Sequence, residues 1–461
     1  MILRTDRECL GRAAASERQN HPWTRSRGSV HGSFAASVLV RGAGAILALA
    51  VNVVLARMLG VAEYGRYMTQ LSAALILGSL AVRGSDQLLT RELSAGGAKH
   101  TGWRHELRHW AIRRVAVGIV LAVVAYFIWI FIARTAASGW DRWSTVLAGA
   151  LLIMLFPLCT LTAGALNGFG ASLRSQTLAL VLQNIAILVL LGVMWLLFDG
   201  LRSGGTALWL QAGGYTLALL VGWRWLHASV RGNGTTAQVG DISPQVATGT
   251  SSKRWSSASR HFLLVAVAAL LVNRLDVILV SSLAGNATAG IYVAGARLAQ
   301  VALMVAMAVN TVLSPRISEA WARKDFAAAR RMLRGGLMFT IPVAVVEVAA
   351  AFFFARHIVA LLGSAYAKSA MPFAWVTMAY ALFTLAAPYY AYLGMTGSEK
   401  SLASISWMVL IANVSAIFLL LPLYGATGAG MAMGVGYALA LLASATVMWR
   451  KMRSYKRIAG Q

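Results

Sequence analysis

Twelve apolar runs of helix length divide this chain, at about 35–58, 68–90, 112–133, 144–168, 175–198, 206–223, 262–284, 289–313, 336–355, 371–394, 402–422 and 428–449. A helix needs roughly 20 apolar residues to cross the hydrocarbon core of a bilayer. In lipid only helices and closed barrels satisfy every backbone polar group. Barrel strands would be shorter and would alternate apolar with polar residues, a pattern that does not dominate here. The predicted fold class is an all-α polytopic membrane protein with twelve transmembrane helices. Composition agrees, with 58% hydrophobic and only 12% charged residues.

The net charge of +26 would suggest nucleic acid in a soluble protein. Here Lys and Arg concentrate in alternate loops, which is a topology signal and not a nucleic-acid footprint. Thirty of them fall on one side and seven on the other, with Arg41, Arg83, Arg274 and Arg297 inside spans. The positive-inside rule then places both termini in the cytoplasm and the protein in the cell (inner or plasma) membrane as a multi-pass protein. Residues 1–33 are polar and Arg-rich without an apolar core, so they read as a cytoplasmic tail and not as a cleaved signal peptide. Cys9 and Cys159 stand far apart, with no disulfide or metal-ligand spacing. Neither a metal nor a cofactor is expected.

The halves echo each other. Gly60-Val-Ala-Glu-Tyr-Gly65-Arg-Tyr67 matches Gly285-Asn-Ala-Thr-Ala-Gly290-Ile-Tyr292 at an offset of 225 residues. Leu166-Asn-Gly-Phe-Gly170 matches Leu393-Gly-Met-Thr-Gly397 at 227, and Gly214-Tyr215 matches Gly436-Tyr437 at 222. With six spans per half, both repeats enter the membrane from the same side, an arrangement that puts a transporter's substrate near the repeat interface. Residues 230–260 are rich in Ser, Thr and Gly and read as a polar cytoplasmic linker. The expected organisation is a disordered tail over 1–33, a six-helix lobe over 34–229, the linker over 230–260, a second six-helix lobe over 261–450 and a basic tail over 451–461.

A charge at mid-bilayer costs on the order of 3 kcal/mol on insertion scales, so the charges inside spans are informative. In the hairpin 262–313, Asp276 and Arg297 lie about equally far from a turn placed near 285–289, at ~12 Å depth given the helical rise. Their equal depth permits an ion pair across this hairpin. Arg274 and Asp276 are two residues apart and point to nearly opposite sides of their helix. Arg83 and Asp86, both in the second span, share a helix face, with Arg41 at a similar depth. These charges either lock helices together or line a water-filled cavity for an anion. Glu347 stands alone in the ninth span and is a candidate proton carrier or a structural acid. The segment 316–334 reads as one basic amphipathic helix lying on the inner leaflet.

Several stretches resemble a known family. The runs NVVLARMLGVAEYGRYMTQLSAAL and NRLDVILVSSLAGNATAGIYVAGARL, the pair Pro315-Arg316 and LPLYGATGAGMAMGVGYAL are similar to Wzx-type lipid-linked oligosaccharide flippases of the MOP exporter superfamily. The resemblance covers most of residues 35–450. It implies two six-helix lobes around a V-shaped, alternately open cavity. It implies a polyprenyl-pyrophosphate-linked glycan as cargo, moved from the cytoplasmic to the outer leaflet for surface polysaccharides such as O-antigen or exopolysaccharide. It also suggests coupling to protons or sodium and polysaccharide assembly proteins as partners. Arg41, and Arg274 with Asp276, match an Arg early in the first span and an Arg-x-Asp in the seventh.

Flipping breaks no covalent bond, so the task is to shelter a charged headgroup. Arg suits it, being always ionised and able to grip phosphate with two donors. The expected cavity residues are Arg41, Arg83 and Arg274, with Asp86, Asp276, Arg297 and Glu347 as structural or coupling charges. Alternatives are a multidrug or ion antiporter of the same superfamily, which would favour acidic cavities, and a membrane enzyme of glycan assembly. The enzyme would need paired carboxylates or His clusters on a sizeable loop, and none stands out.

Overall fold

The structure, a computed structural model, describes residues 27–95, 101–132, 140–197, 203–232, 251–323 and 325–459. Nearly all of these are helical, with no strand among them. The elements are α1 (Arg27–Val82), α2 (Ser85–Ala95), α3 (Thr101–Ile132), α4 (Trp140–Gly168), α5 (Ser172–Gln176), α6 (Gln183–Leu197), α7 (Gly204–Gly232), α8 (Ser251–Ala322), α9 (Phe326–Val359), α10 (Ala370–Met395), α11 (Glu399–Tyr424) and α12 (Ala426–Ala459). A π-helical segment, Thr177–Leu182, joins α5 to α6.

Among the described residues nine stretches are long and apolar enough to cross a membrane, α5 and α6 counting as one. Two of the nine, α1 and α8, are bent at Gly60 (φ 70°) and Gly285 (φ 82°). Each therefore supplies two spans. With α7, 29 residues long, this makes the twelve spans that the sequence predicts. The left-handed φ at both bends is one that glycine adopts freely and other residues reach at a cost of roughly 1–2 kcal/mol.

One bundle packs α1, α2, α3, α4, α6 and α7 together, and α8 to α12 form the other. The broadest contact between the bundles is α1 against α8. It is built by the repeat itself. A Cβ on Gly65 would fall on the Asn286 carbonyl oxygen, and a Cβ on Gly290 would fall on the Val61 carbonyl oxygen. Val61 and Asn286 stand at the same 225-residue offset as Gly65 and Gly290. The contact is thus reciprocal, as a two-fold relation between repeats requires. Bare glycine backbones let the two helices approach closely, the usual means of helix association in a bilayer, where apolar burial drives little.

Other equivalent contacts repeat inside each bundle. The Ala171 amide donates to the Leu166 carbonyl at 2.9 Å, and the Ser398 amide donates to the Leu393 carbonyl at 3.0 Å. Phe156 meets Tyr215 at 6.1 Å between ring centroids, and Phe383 meets Tyr437 at 5.1 Å. A Cβ on Gly214 would meet the Ile187 side chain, and one on Gly436 the Val409 backbone and side chain.

Three local expectations change. The second span is not continuous over 68–90: α1 ends at Val82, Arg83 (φ 51°) and Gly84 (φ 69°) turn the chain, and α2 starts at Ser85. Asp86 then occupies the first turn of α2, where a helix N-terminus favours negative charge. Arg83 and Asp86 therefore share no helix face. The segment 316–334 is also not one surface helix. The eighth span continues to Ala322, and α9 begins at Phe326 after a short turn. Asp325 caps α9, its side chain accepting from the Ala328 amide at 2.8 Å. A carboxylate at that position satisfies an otherwise orphaned helix N–H. Finally, helix extends into the stretches read as tail and linker, since α1 opens at Arg27, α7 runs to Gly232, α8 opens at Ser251 and α12 runs to Ala459. The rest of those stretches, 1–26, 233–250 and 460–461, lies outside the described residues.

Candidate functional site

The in-span charges of α8 meet a group of tyrosines where the two bundles join. Asp276 is buried at 6% exposure. Its carboxylate accepts a hydrogen bond from the Tyr292 hydroxyl, with the Val277 amide donating to its other oxygen at 2.8 Å. Tyr67, the repeat equivalent of Tyr292, donates instead to Gln211 Oε1 on α7 at 2.8 Å. Tyr64 donates to Asn52 Oδ1 at 3.1 Å. All three tyrosines are fully enclosed, and each hydroxyl has the partner that a buried phenol needs.

Arg274 and Arg297 are each half-buried beside this group. Arg274 lies within electrostatic reach of Tyr67 and Tyr215 in the first bundle and of Asp276 and Arg297 in its own. Arg297 reaches Tyr64 and Tyr67 across the join, and Tyr380 on α10. Among the described residues neither guanidinium forms an ion pair or hydrogen bond. The permitted Asp276–Arg297 pair is absent, and the reason is register. The bend falls at Gly285 itself, so Asp276 is ~14 Å and Arg297 ~18 Å along the helix from it at 1.5 Å per residue. Tyr292, ~10 Å from the bend but with a long rigid side chain, reaches the carboxylate first.

The other candidate residues sit elsewhere. Arg41 is exposed, with its Nε 3.4 Å from Gln176 Oε1, and Gln176 in turn lies 3.4 Å from Ser37. From the bend at Gly60, Arg41 lies ~28 Å and Arg83 ~34 Å along α1, against ~16 Å for Arg274 from the touching bend at Gly285. Arg41 and Arg83 are thus nearer the face that bears the chain termini. Asp86 is half-buried at the start of α2. Glu347 lies on α9, half-buried, with both carboxylate oxygens out of solvent and without a hydrogen bond.

The tyrosines were missed as site residues, although Tyr67, Tyr292, Tyr215 and Tyr437 all stand inside the repeated motifs. Matching aromatic positions in both repeats was the signal available. At the face of the two bends the bundles are joined by further bonds. Arg57 Nε donates to the Leu361 carbonyl at 2.8 Å, the Tyr366 hydroxyl donates to the Ala56 carbonyl at 2.9 Å, and Tyr64 meets Tyr366 edge-on at 6.1 Å. Among the described residues no group of three or more His, Cys, Asp or Glu could hold a metal ion.

A family described as "Polysaccharide biosynthesis protein" matches residues 31–321, well over half of the chain. The chain belongs to the polysaccharide biosynthesis protein family. The match takes in both bends, the whole first bundle and the Arg274–Arg297 region. The MatE family also matches residues 263–421. No curated protein matches the chain in sequence. Among solved structures it is similar to the lipid II flippase MurJ in an inward closed conformation, with 14% identity, 89% of this chain and 87% of that chain covered, and a TM-score of 0.67. It is similar to a multidrug resistance MATE family transporter of the MOP superfamily in an inward-facing conformation, at 12% identity, 90% and 98% coverage and a TM-score of 0.64. The Vibrio cholerae MATE transporter VcmN follows at 16% identity, 91% and 97% coverage and 0.57. This chain is thus a multi-pass membrane protein with the fold of these MOP-type transporters.

Proposed function

We propose that the chain is a flippase that carries a polyprenyl-pyrophosphate-linked oligosaccharide from the cytoplasmic to the outer leaflet of the cell membrane by alternating access. The observation that carries this reading is the pair of half-buried guanidiniums, Arg274 and Arg297, which form no ion pair or hydrogen bond among the described residues where the bundles meet. Each costs on the order of 3 kcal/mol at this depth, and their mutual repulsion adds to that. A pyrophosphate between them would be gripped by two bidentate donors and would neutralise both charges. The buried tyrosines and Gln211 around them are bonded to one another and to Asp276 and Asn52, and frame the two arginines.

Alternating access is supported by where the bundles touch. The Gly65–Gly290 contact, the Arg57–Leu361 bond and the Tyr366–Ala56 bond hold them together at the face of the bends, so opening toward that face means breaking all three. The lysine and arginine bias makes the opposite face cytoplasmic, and a proton or sodium gradient would drive the cycle. No bond is made or broken in the cargo.

The test is export of a lipid-linked glycan in cells lacking the native gene. Arg274→Ala and Arg297→Ala should each abolish it while the protein remains in the membrane. Arg274→Lys should recover part, because Lys keeps the charge and loses the fork. Normal export by both alanine variants would make the two arginines structural and refute the reading. The MatE match over 263–421 favours a second reading, efflux of organic cations. That reading predicts resistance to cationic drugs, which two arginines against one aspartate would oppose by repulsion.

A further inference from the structure

Glu347 is a charged group that the headgroup site does not use. Half-buried itself, it stands in register with the buried face of α9 that holds Gly336, Thr340, Ala344, Ala351 and Ala355, at the 3–4 residue spacing of one helix face. That stripe packs on α10, where Glu347 approaches Thr384. Thr384 is fully buried, and its hydroxyl already donates to the Tyr380 carbonyl at 3.1 Å. Its single proton can reach the carboxylate only by giving up that bond. Beside it lies an apolar cavity of about 430 Å³ between α9 and α10, lined by Ala344, Val345, Val348, Ala381, Leu382 and Leu385. It supplies no donor. The nearest charges on α9 are Arg334 and Arg356, thirteen and nine positions away. Thr384 is the polar α10 group that meets Glu347, and among the described residues no charged group acts on it.

As a carboxylate Glu347 would hold two acceptor oxygens out of solvent with at most the one Thr384 proton to share between them, a costly state for a polar group. As a carboxylic acid it gains a donor, and the free lone pair of Thr384 Oγ1 can accept it. A bare cation would need several oxygen ligands, as hard cations do, and Glu347 with Thr384 supplies too few. We propose that Glu347 is a proton-binding site, taking up one proton when the α9–α10 seam closes dry and releasing it when the seam is wetted. Its role as the coupling proton rests on the transporter reading; its existence does not.

The experiment is infrared difference spectroscopy of the purified full chain in lipid nanodiscs as the pH is raised, in sodium-free and in sodium-containing buffer. The wild type should lose a carboxylic acid C=O band, equally in both buffers. Glu347→Gln, which mimics the neutral acid, should remain monodisperse and lack that band. Thr384→Val keeps the acid and should shift the band, which covers the case in which the glutamine variant fails to fold. A band unchanged in both variants, or one lost only when sodium is added, overturns the proposal. Binding of inorganic pyrophosphate to the same samples separates the two readings. Wild type that releases the proton but binds no pyrophosphate keeps the proton site and fails the headgroup site. Wild type that binds pyrophosphate but shows no Glu347 band does the reverse.

Discussion

Replacing Gly65 by alanine should pry the two bundles apart at the face of the bends without unfolding either. The new methyl would fall on the Asn286 carbonyl oxygen and 2.7 Å from the Gly290 amide nitrogen. Both are backbone atoms that cannot rotate away, so the helices must separate by on the order of 1 Å to restore van der Waals distance. Overpacking of this kind costs about 1–3 kcal/mol. The cost falls only on the closed state of that face, because the contact exists only there. Helix propensity works the other way, with alanine favoured over glycine by about 0.5–1 kcal/mol inside a helix, so α1 itself is not weakened. At about 1.4 kcal/mol per factor of ten, the ratio of open to closed molecules should rise roughly 5- to 150-fold. Ala289 is fully buried at this join. With Cys9 and Cys159 replaced, a single cysteine at 289 should react with a membrane-impermeant maleimide from the outside, faster by that factor in the Gly65→Ala background. Gly290→Ala should act alike, since it meets the Val61 carbonyl by the same geometry. The double variant should gain less than the sum, because both act on one interface. Labelling unchanged within about twofold, against the ~5-fold minimum expected, in a variant that remains folded and inserted would show that this contact does not hold the face shut.

Three further outcomes follow from the same geometry. Tyr292→Phe removes the hydroxyl donor from a buried Asp276 and should cost about 1.5–3 kcal/mol, seen as a lowered Tm in detergent. Adding Asp276→Asn should recover part of that loss. Asp276→Asn combined with Arg297→Gln should give losses close to additive, since the two residues form no ion pair. A recovery of 1 kcal/mol or so would contradict the structure. Lys451 donates to Thr396 Oγ1 at 2.8 Å and to Ser398 Oγ at 2.7 Å, beside Trp321. Lys451→Met should loosen the α10–α11 turn and increase hydrogen exchange at 396–398, with little effect at the α1–α8 join.

The twelve spans were legible because a bilayer turns hydropathy into geometry, and the two bends because Gly60 and Gly285 stand at one offset. Where the reading failed, the deciding force was local and weaker than hydropathy. Arg83 could be read as helical only by ignoring Gly84, which lets the chain turn at 83–84, inside a run that reads as continuous over 68–90. The 316–334 segment has the charge pattern of a surface helix, yet Asp325 caps a new helix within it, a signal that the basic residues obscured. The Asp276–Arg297 pairing was lost through a bend position wrong by a few residues, an error of about one helical turn. The tyrosines went unread because a buried tyrosine in a span looks like packing until its hydroxyl partner is known.

Symmetry and its breaking divide the labour in this protein. The two-fold relation is closely kept at the bends, where Gly65 and Gly290 meet each other's repeat. It is kept again at the turns after Gly168 and Met395, where each chain closes the same carbonyl. It is abandoned one to three turns away. At the repeat positions of Arg274, Asp276 and Arg297 the first bundle carries Leu49, Val51 and Ser72. Tyr67 and Tyr292 remain equivalent, but one bonds an amide and the other a carboxylate. A duplicated scaffold gives two matched rigid bodies and a pivot between them, which is what rocking requires. By itself it would give the proposed headgroup site no charge, because an apolar pair of halves has nothing to hold an anion. On the flippase reading proposed above, placing Arg274, Asp276 and Arg297 on one half, with Tyr67, Tyr215 and Gln211 of the other half across the join, would let the site open and close with the pivot while these three charges travel on one body. Moving the arginines to their repeat positions, as Leu49→Arg and Ser72→Arg with Arg274→Leu and Arg297→Ser, would keep the net charge and the pivot. It would also strand Asp276 on the opposite half, so binding of inorganic pyrophosphate should fall even though two guanidiniums still face the join.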